Sequence, residues 1–146
     1  MSWLSVNVLF ALAVGALAQC PLYWTPHEES CYIIPQLMQT WTASMSLCQF
    51  YGGYLAEVTS QSENNFIVQF IEQSHVKESQ LWIGGSDMLA EGHWTWTDRG
   101  DLLQYQPWAS NEPDDLAGQH CLAVSEHGEW DDDTCSAHRH GVCEKK

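Results

Sequence analysis

Apolar residues fall into three regimes along the chain. Leu4 to Leu17 is nearly all apolar or small, with only Ser5 and Asn7 polar. The run is too short to span a membrane and ends in Ala16-Leu17-Ala18, a small-x-small cleavage pattern. Residues 1–18 are therefore expected to be a secretory signal peptide cut after Ala18. No Lys or Arg precedes the run, so the α-amino group supplies its positive charge, and a signal anchor is the alternative. No later segment is apolar enough to cross a bilayer. The middle regime is helical. Thr42 to Tyr51 puts Met45, Cys48 and Tyr51 on one face, with Thr42 as cap and Gly52-Gly53 as stop. A second helix begins at Ser60, where Ser60-x-x-Glu63 forms a capping box. Phe66, Ile67, Phe70 and Ile71 follow at core-facing spacing.

The third regime is strand-like. Leu81-Trp-Ile-Gly reads as a buried strand, and His93-Trp-Thr-Trp-Thr alternates with period two. Cys121-Leu-Ala-Val, Glu129-Trp-Asp-Asp and His140-Gly-Val-Cys-Glu are further strands. Trp82, Trp94, Trp96 and Trp130 are expected to be core residues. Two shorter pieces precede these: a hairpin over 20–35 turning around Pro26, and a strand Tyr54-Leu-Ala-Glu-Val. Residues 98–119 are rich in Gly, Asp and Pro and show little periodicity. A loop of that length in a compact domain is usually functional. The order predicts one α+β domain over residues 19–146, with function on the loop side.

Composition narrows the chemistry. All six cysteines lie beyond residue 18, and an even count in a small secreted chain reads as a disulfide framework. No Cys-x-x-Cys pair suggests a zinc knuckle or redox site. A bridge between Cys20 and Cys31 would tie the hairpin. The chain carries 19 Asp+Glu against 5 Lys+Arg, a net charge of −14. That balance disfavours nucleic acid and anionic membrane surfaces and favours divalent cations, basic proteins or mineral. No nucleophile–base pair, phosphate loop or His-rich metal set points to an enzyme. His138-x-His140 alone is a weak metal motif.

Taken in order, these features resemble the C-type lectin family over residues 20–145. The resemblance rests on Trp82-Ile-Gly-Gly, Trp94-x-Trp-x-Asp98, Glu112-Pro113-Asp114, Trp130-Asp131-Asp132 and Gly141-Val-Cys-Glu144, with six cysteines where the long form has them. Among secreted members it is similar to the perlucin-like lectins of invertebrates. It implies a C-type lectin-like fold: two helices, antiparallel sheets, a long irregular calcium- and sugar-binding loop region and three disulfides. The implied pairs are Cys20–Cys31, Cys48–Cys143 and Cys121–Cys135. In the chain-entropy picture the second stabilises by about 4–5 kcal/mol and the third by about 3 kcal/mol.

The resemblance also implies a ligand set. Glu112, Asp114, Gln119, Asp131 and Asp132 match the positions that hold calcium, and Glu112, Asp114, Gln119 and Asp131 those that also meet carbohydrate. Calcium takes roughly six to eight oxygen ligands, and these side chains can supply such oxygens. The proline matching Pro113 follows a cis bond in the family. An auxiliary metal site would use Asp87, Glu91 and Asp115, although His120 stands where an Asp is usual. Glu-Pro-Asp matches neither the mannose-type Glu-Pro-Asn nor the galactose-type Gln-Pro-Asp, so the sugar is not legible. The expected function is that of a secreted, extracellular, calcium-dependent lectin. It would bind terminal sugars of glycans in innate immune recognition of microbes, with a homo-oligomer as its route to multivalency. The alternatives are an acidic matrix protein on calcium carbonate mineral and a domain that binds a protein ligand.

Overall fold

The structure, a computed structural model, describes residues 19–146 apart from Ala117. The expected leader, residues 1–18, lies outside the described residues. The chain runs β1 (Thr25–His27), β2 (Ser30–Ile33), α1 (Trp41–Phe50), β3 (Tyr54–Leu55), α2 (Gln61–Gln73), β4 (Gln80–Ser86), β5 (Thr95–Trp96), β6 (Cys121–Ser125), β7 (Trp130–Asp133) and β8 (Cys143–Lys145). Two antiparallel sheets result, ordered β1-β2-β8-β3 and β5-β4-β6-β7. No described helix is long and apolar enough to cross a membrane.

Both helices form where their apolar spacing places them, with adjusted ends. The cap of α1 is Thr40, whose hydroxyl accepts from Ala43 N–H, rather than Thr42. Trp41 is thereby drawn into the first turn, where its indole donates to Ile83 O at 2.9 Å. At α2, Ser60 accepts from Glu63 N–H as expected, but the Glu63 carboxylate reaches back to Thr59 N–H and to the Tyr32 hydroxyl. The capping box is therefore opened out into a tertiary contact. Pro26 lies inside β1, and the hairpin turns at Glu28-Glu29, where Glu28 adopts φ 51°. The 54–58 strand shortens to two residues because Ala56 N–H turns to Val142 O and Ala56 O takes Gly84 N–H. That backbone thus serves both sheets.

Ile67 and Ile71 of α2 pack on Leu81, Ile83, Leu122, Val124, Trp94, Trp96 and Trp130 in one core cluster. Trp41, Cys48, Leu55, Trp82, Cys121, Ala123 and Cys143 form the other. All four tryptophans expected in the core are buried. Disulfides join Cys20–Cys31, Cys48–Cys143 and Cys121–Cys135. Cys48 and Cys143 are 95 residues apart, so their bridge ties the first helix to the last strand. Trp82 N–H donates to His140 O and Trp82 O accepts from Val142 N–H, which carries the terminal segment from one sheet to the other.

Candidate functional site

Trp130 ties the long loop to the core. Its buried indole donates to Asn64 Oδ1 at 3.1 Å, and Asn64 Nδ2 donates to Gly128 O at 2.8 Å. A Cβ at residue 128 would lie 2.8 Å from that same Asn64 nitrogen, and φ there is +84°, so glycine is required for this closure. On the other side, Trp130 N–H donates to Pro107 O and Trp130 O accepts from Ala109 N–H. The loop is thus clipped to β7 just before it turns. Asn111 (φ 68°), the cis Glu112–Pro113 bond and Asp115 (φ 50°) then fold it back over β7.

That turn brings three of the expected ligands together. One carboxylate oxygen each from Glu112, Asp114 and Asp132 lies within 4.8 Å of the others. Asp132 is 1% exposed and forms the floor of the group. Its two oxygens accept from Asp114 N–H at 3.1 Å and Asp115 N–H at 2.7 Å. Asp114 Oδ1 accepts from Leu116 N–H. Glu112 Oε2 and Gln119 Oε1 are buried and accept no hydrogen bond. Leaving such an oxygen without a donor is expensive, so both oxygens call for a cation or a hydroxyl. Burial is the main force pushing the Glu112 carboxyl up to about 7, followed by the adjoining Asp132 carboxyl and the charges of Asp131 and Asp114. Crowded carboxylates with orphaned oxygens fit a hard dication that prefers oxygen.

Asp131 stands outside this group. Its Oδ2 accepts from Gln80 Nε2 at 2.6 Å. Successive residues of β7 point to opposite faces, so Asp131 leaves Trp130 and Asp132 on the other face. Its charge still reaches Glu112.

The auxiliary residues also meet, but around an imidazole. His120 Nδ1 is 3.0 Å from Asp87 Oδ1, 3.4 Å from Glu91 Oε2 and 4.0 Å from Asp115 Oδ1. The hydrogen bond to Asp87 holds His120 above its usual range, against desolvation. Glu91 is also raised, by desolvation first and then by the neighbouring Asp87 and Asp115. His138 and His140 do not form a site: His140 Nδ1 pairs with Glu78 at 2.9 Å instead.

A third acidic group lies away from both. Glu57, Glu63 and Glu144 are buried between the first sheet and α2, beside a cavity of about 630 Å³ also lined by Tyr32, Tyr54 and Arg99. No local sequence signal marks it. Glu144 binds Ser30 and Glu57, which are 114 and 87 residues away along the chain.

Residues 38–145 match the model of the family described as Lectin C-type domain. The chain is 31% identical over 143 residues to "Galactose-specific lectin nattectin" of Thalassophryne nattereri, covering 92% of this chain and 89% of that one. Its fold matches the mouse scavenger receptor C-type lectin carbohydrate-recognition domain with TM-score 0.80 and 26% identity, covering 87% and 96% of the two chains. A calcium-independent type II antifreeze protein matches with TM-score 0.77 and 31% identity, covering 89% and 95%.

Proposed function

The chain belongs to the C-type lectin domain family, and from that premise we propose that it is a secreted, calcium-dependent lectin for terminal sugars of glycans. Glu112, Asp114 and Asp132 hold the ion and Gln119 adds an amide oxygen, while Asp131, held by Gln80 on the other face of β7, contributes only its charge. The observation that carries this reading is the convergence of the Glu112, Asp114 and Asp132 carboxylates with Glu112 Oε2 buried and unpartnered among them; Gln119 Oε1, at the end of the same loop, is likewise buried and unpartnered. Bound calcium supplies attraction for two vicinal sugar hydroxyls. The side chains orient those hydroxyls. Glu112 and Asp114 only accept, so they bind hydroxyls as donors, while the Gln119 amide also donates. Asp114 and Gln119 together move the donor from the Glu-Pro-Asp turn to the far end of the loop. The preferred sugar is therefore one whose acceptor hydroxyl lies toward Gln119. Nattectin's galactose specificity and the mannose alternative both belong on the test panel. Recognition of microbial glycans is the role that fits a secreted domain of this kind, with avidity from self-association.

The mature chain is applied to an immobilised glycan panel with calcium and then with a chelator. Chelator-reversible binding supports the proposal and names the sugar. Failure to bind any glycan, with strong adsorption to calcium carbonate, would instead favour the matrix role. That reading draws on the net charge of −14. The antifreeze relative makes calcium dependence the property to test first.

A further inference from the structure

His120 changes what the second cluster can bind. Calcium there would need roughly six to eight oxygens. Asp87 Oδ2 is already committed to Gly92 N–H at 2.9 Å. The imidazole Nδ1 lies within 4.0 Å of an oxygen from each of Asp87, Glu91 and Asp115, where a hard ion would sit. A nitrogen in that position is a poor ligand for calcium and a good one for borderline transition-metal ions.

We propose that Asp87, Glu91 and His120 form a three-ligand binding site for a zinc-class dication, and that this site does not take calcium. One donor atom each from Asp87, Glu91 and His120 lies within 4.8 Å of the others. Zinc bonds to nitrogen and oxygen run about 2.0–2.2 Å, which sets tetrahedral donor separations of about 3.3–3.6 Å. The separations of 3.0 and 3.4 Å from Nδ1 to Asp87 and Glu91 lie close to that value. The donors are also held in place. Ser86 Oγ and Asp87 N–H both donate to His120 O, locking the backbone of His120 against the end of β4. The Gly92 N–H bond fixes the Asp87 carboxylate with Oδ1 toward the imidazole, as an outer-shell hydrogen bond does in metal sites. Asp87 is 2% exposed, while the His120 side chain is 34% exposed and leaves an open side for entry. The site stands whether or not the loop binds sugar.

The test is equilibrium dialysis of the mature, disulfide-bonded chain against zinc chloride and, separately, calcium chloride. Wild type, His120→Asp and Glu112→Gln are compared. Wild type binds one zinc ion, and Glu112→Gln keeps it. His120→Asp weakens zinc by more than about tenfold and gains a second calcium. Should His120→Asp fail to fold, the His120 ring resonances of wild type report instead: zinc shifts them and calcium does not. Two calcium ions on wild type, zinc uptake unchanged in His120→Asp, or ring resonances indifferent to zinc would overturn the proposal.

Discussion

Glu57, Glu63 and Glu144 are buried between a sheet and a helix; Glu112, Asp114 and Asp132 converge where a loop folds over a strand. In the first group donors reach nearly every oxygen. Glu63 accepts from Tyr32 and Thr59, Glu144 from Ser30 and Glu57 N–H, and Glu57 Oε1 from Asp98 and Arg99 N–H. Only Glu57 Oε2 lacks a hydrogen bond, and Arg99 Nε stands 3.8 Å away. In the loop group the donors that exist are local backbone N–H groups on Asp132 and Asp114, and Glu112 and Gln119 keep orphaned oxygens. Acidity alone does not distinguish a structural cluster from a binding site. The supply of donors does.

The comparison can be broken from either side. The largest expected effect is on the structural side. Glu63→Ala strands the Tyr32 hydroxyl and Thr59 N–H, so it should destabilise the domain by about 3 kcal/mol in chemical unfolding, while calcium affinity stays as in wild type. A variant that kept its stability and lost calcium would reverse the two assignments. On the loop side, Glu112→Ala should weaken calcium about 100-fold in titration calorimetry, since even outer-shell changes reach that scale. Its calcium-free melting temperature should be unchanged.

Two pH effects sharpen the contrast. Calcium needs the ionised Glu112 carboxylate, and burial has raised that group to about 7. Protons therefore compete as pH falls through 7, and calcium affinity should drop about tenfold between pH 8 and 6; an affinity flat across that range would contradict the site. Glu57 behaves otherwise. Burial, which outweighs the bonds from Arg99 and Asp98, raises it to about 7. Its protonated form contributes stability that is fully present below about 4.5 and lost as pH rises through 7. Folding stability should then fall by about 1 kcal/mol between pH 6 and 8 on this account. Glu57→Gln should flatten that slope without altering the pH dependence of calcium binding.

These two regions were unequally legible in the sequence. Glu112, Asp114 and Asp132 could be read because Glu112-Pro113-Asp114 and Trp130-Asp131-Asp132 are contiguous stretches that resemble the family's motifs, whereas Asp131 in the same stretch was read as a ligand and lies outside the group. The α2 helix was legible for the same reason, from Ser60 and the Phe66 to Ile71 spacing. What escaped depended on distant partners. The hydrogen bond of Glu63 to Tyr32 opened the capping box, and Asp131 turned to Gln80, 51 residues away. Ala56 left its strand early to bridge two sheets. His120 could be seen as a departure from the expected Asp, but its approach to three carboxylates needed the fold.

The most direct test is a calcium titration of the isotope-labelled, disulfide-bonded chain of residues 19–146 followed by backbone amide chemical shifts. The account predicts saturable shifts at residues 112–119 and 131–133, with Thr59, Glu63 and Glu144 silent. Shifts centred on the buried glutamates, or no saturable shifts at all, would contradict it.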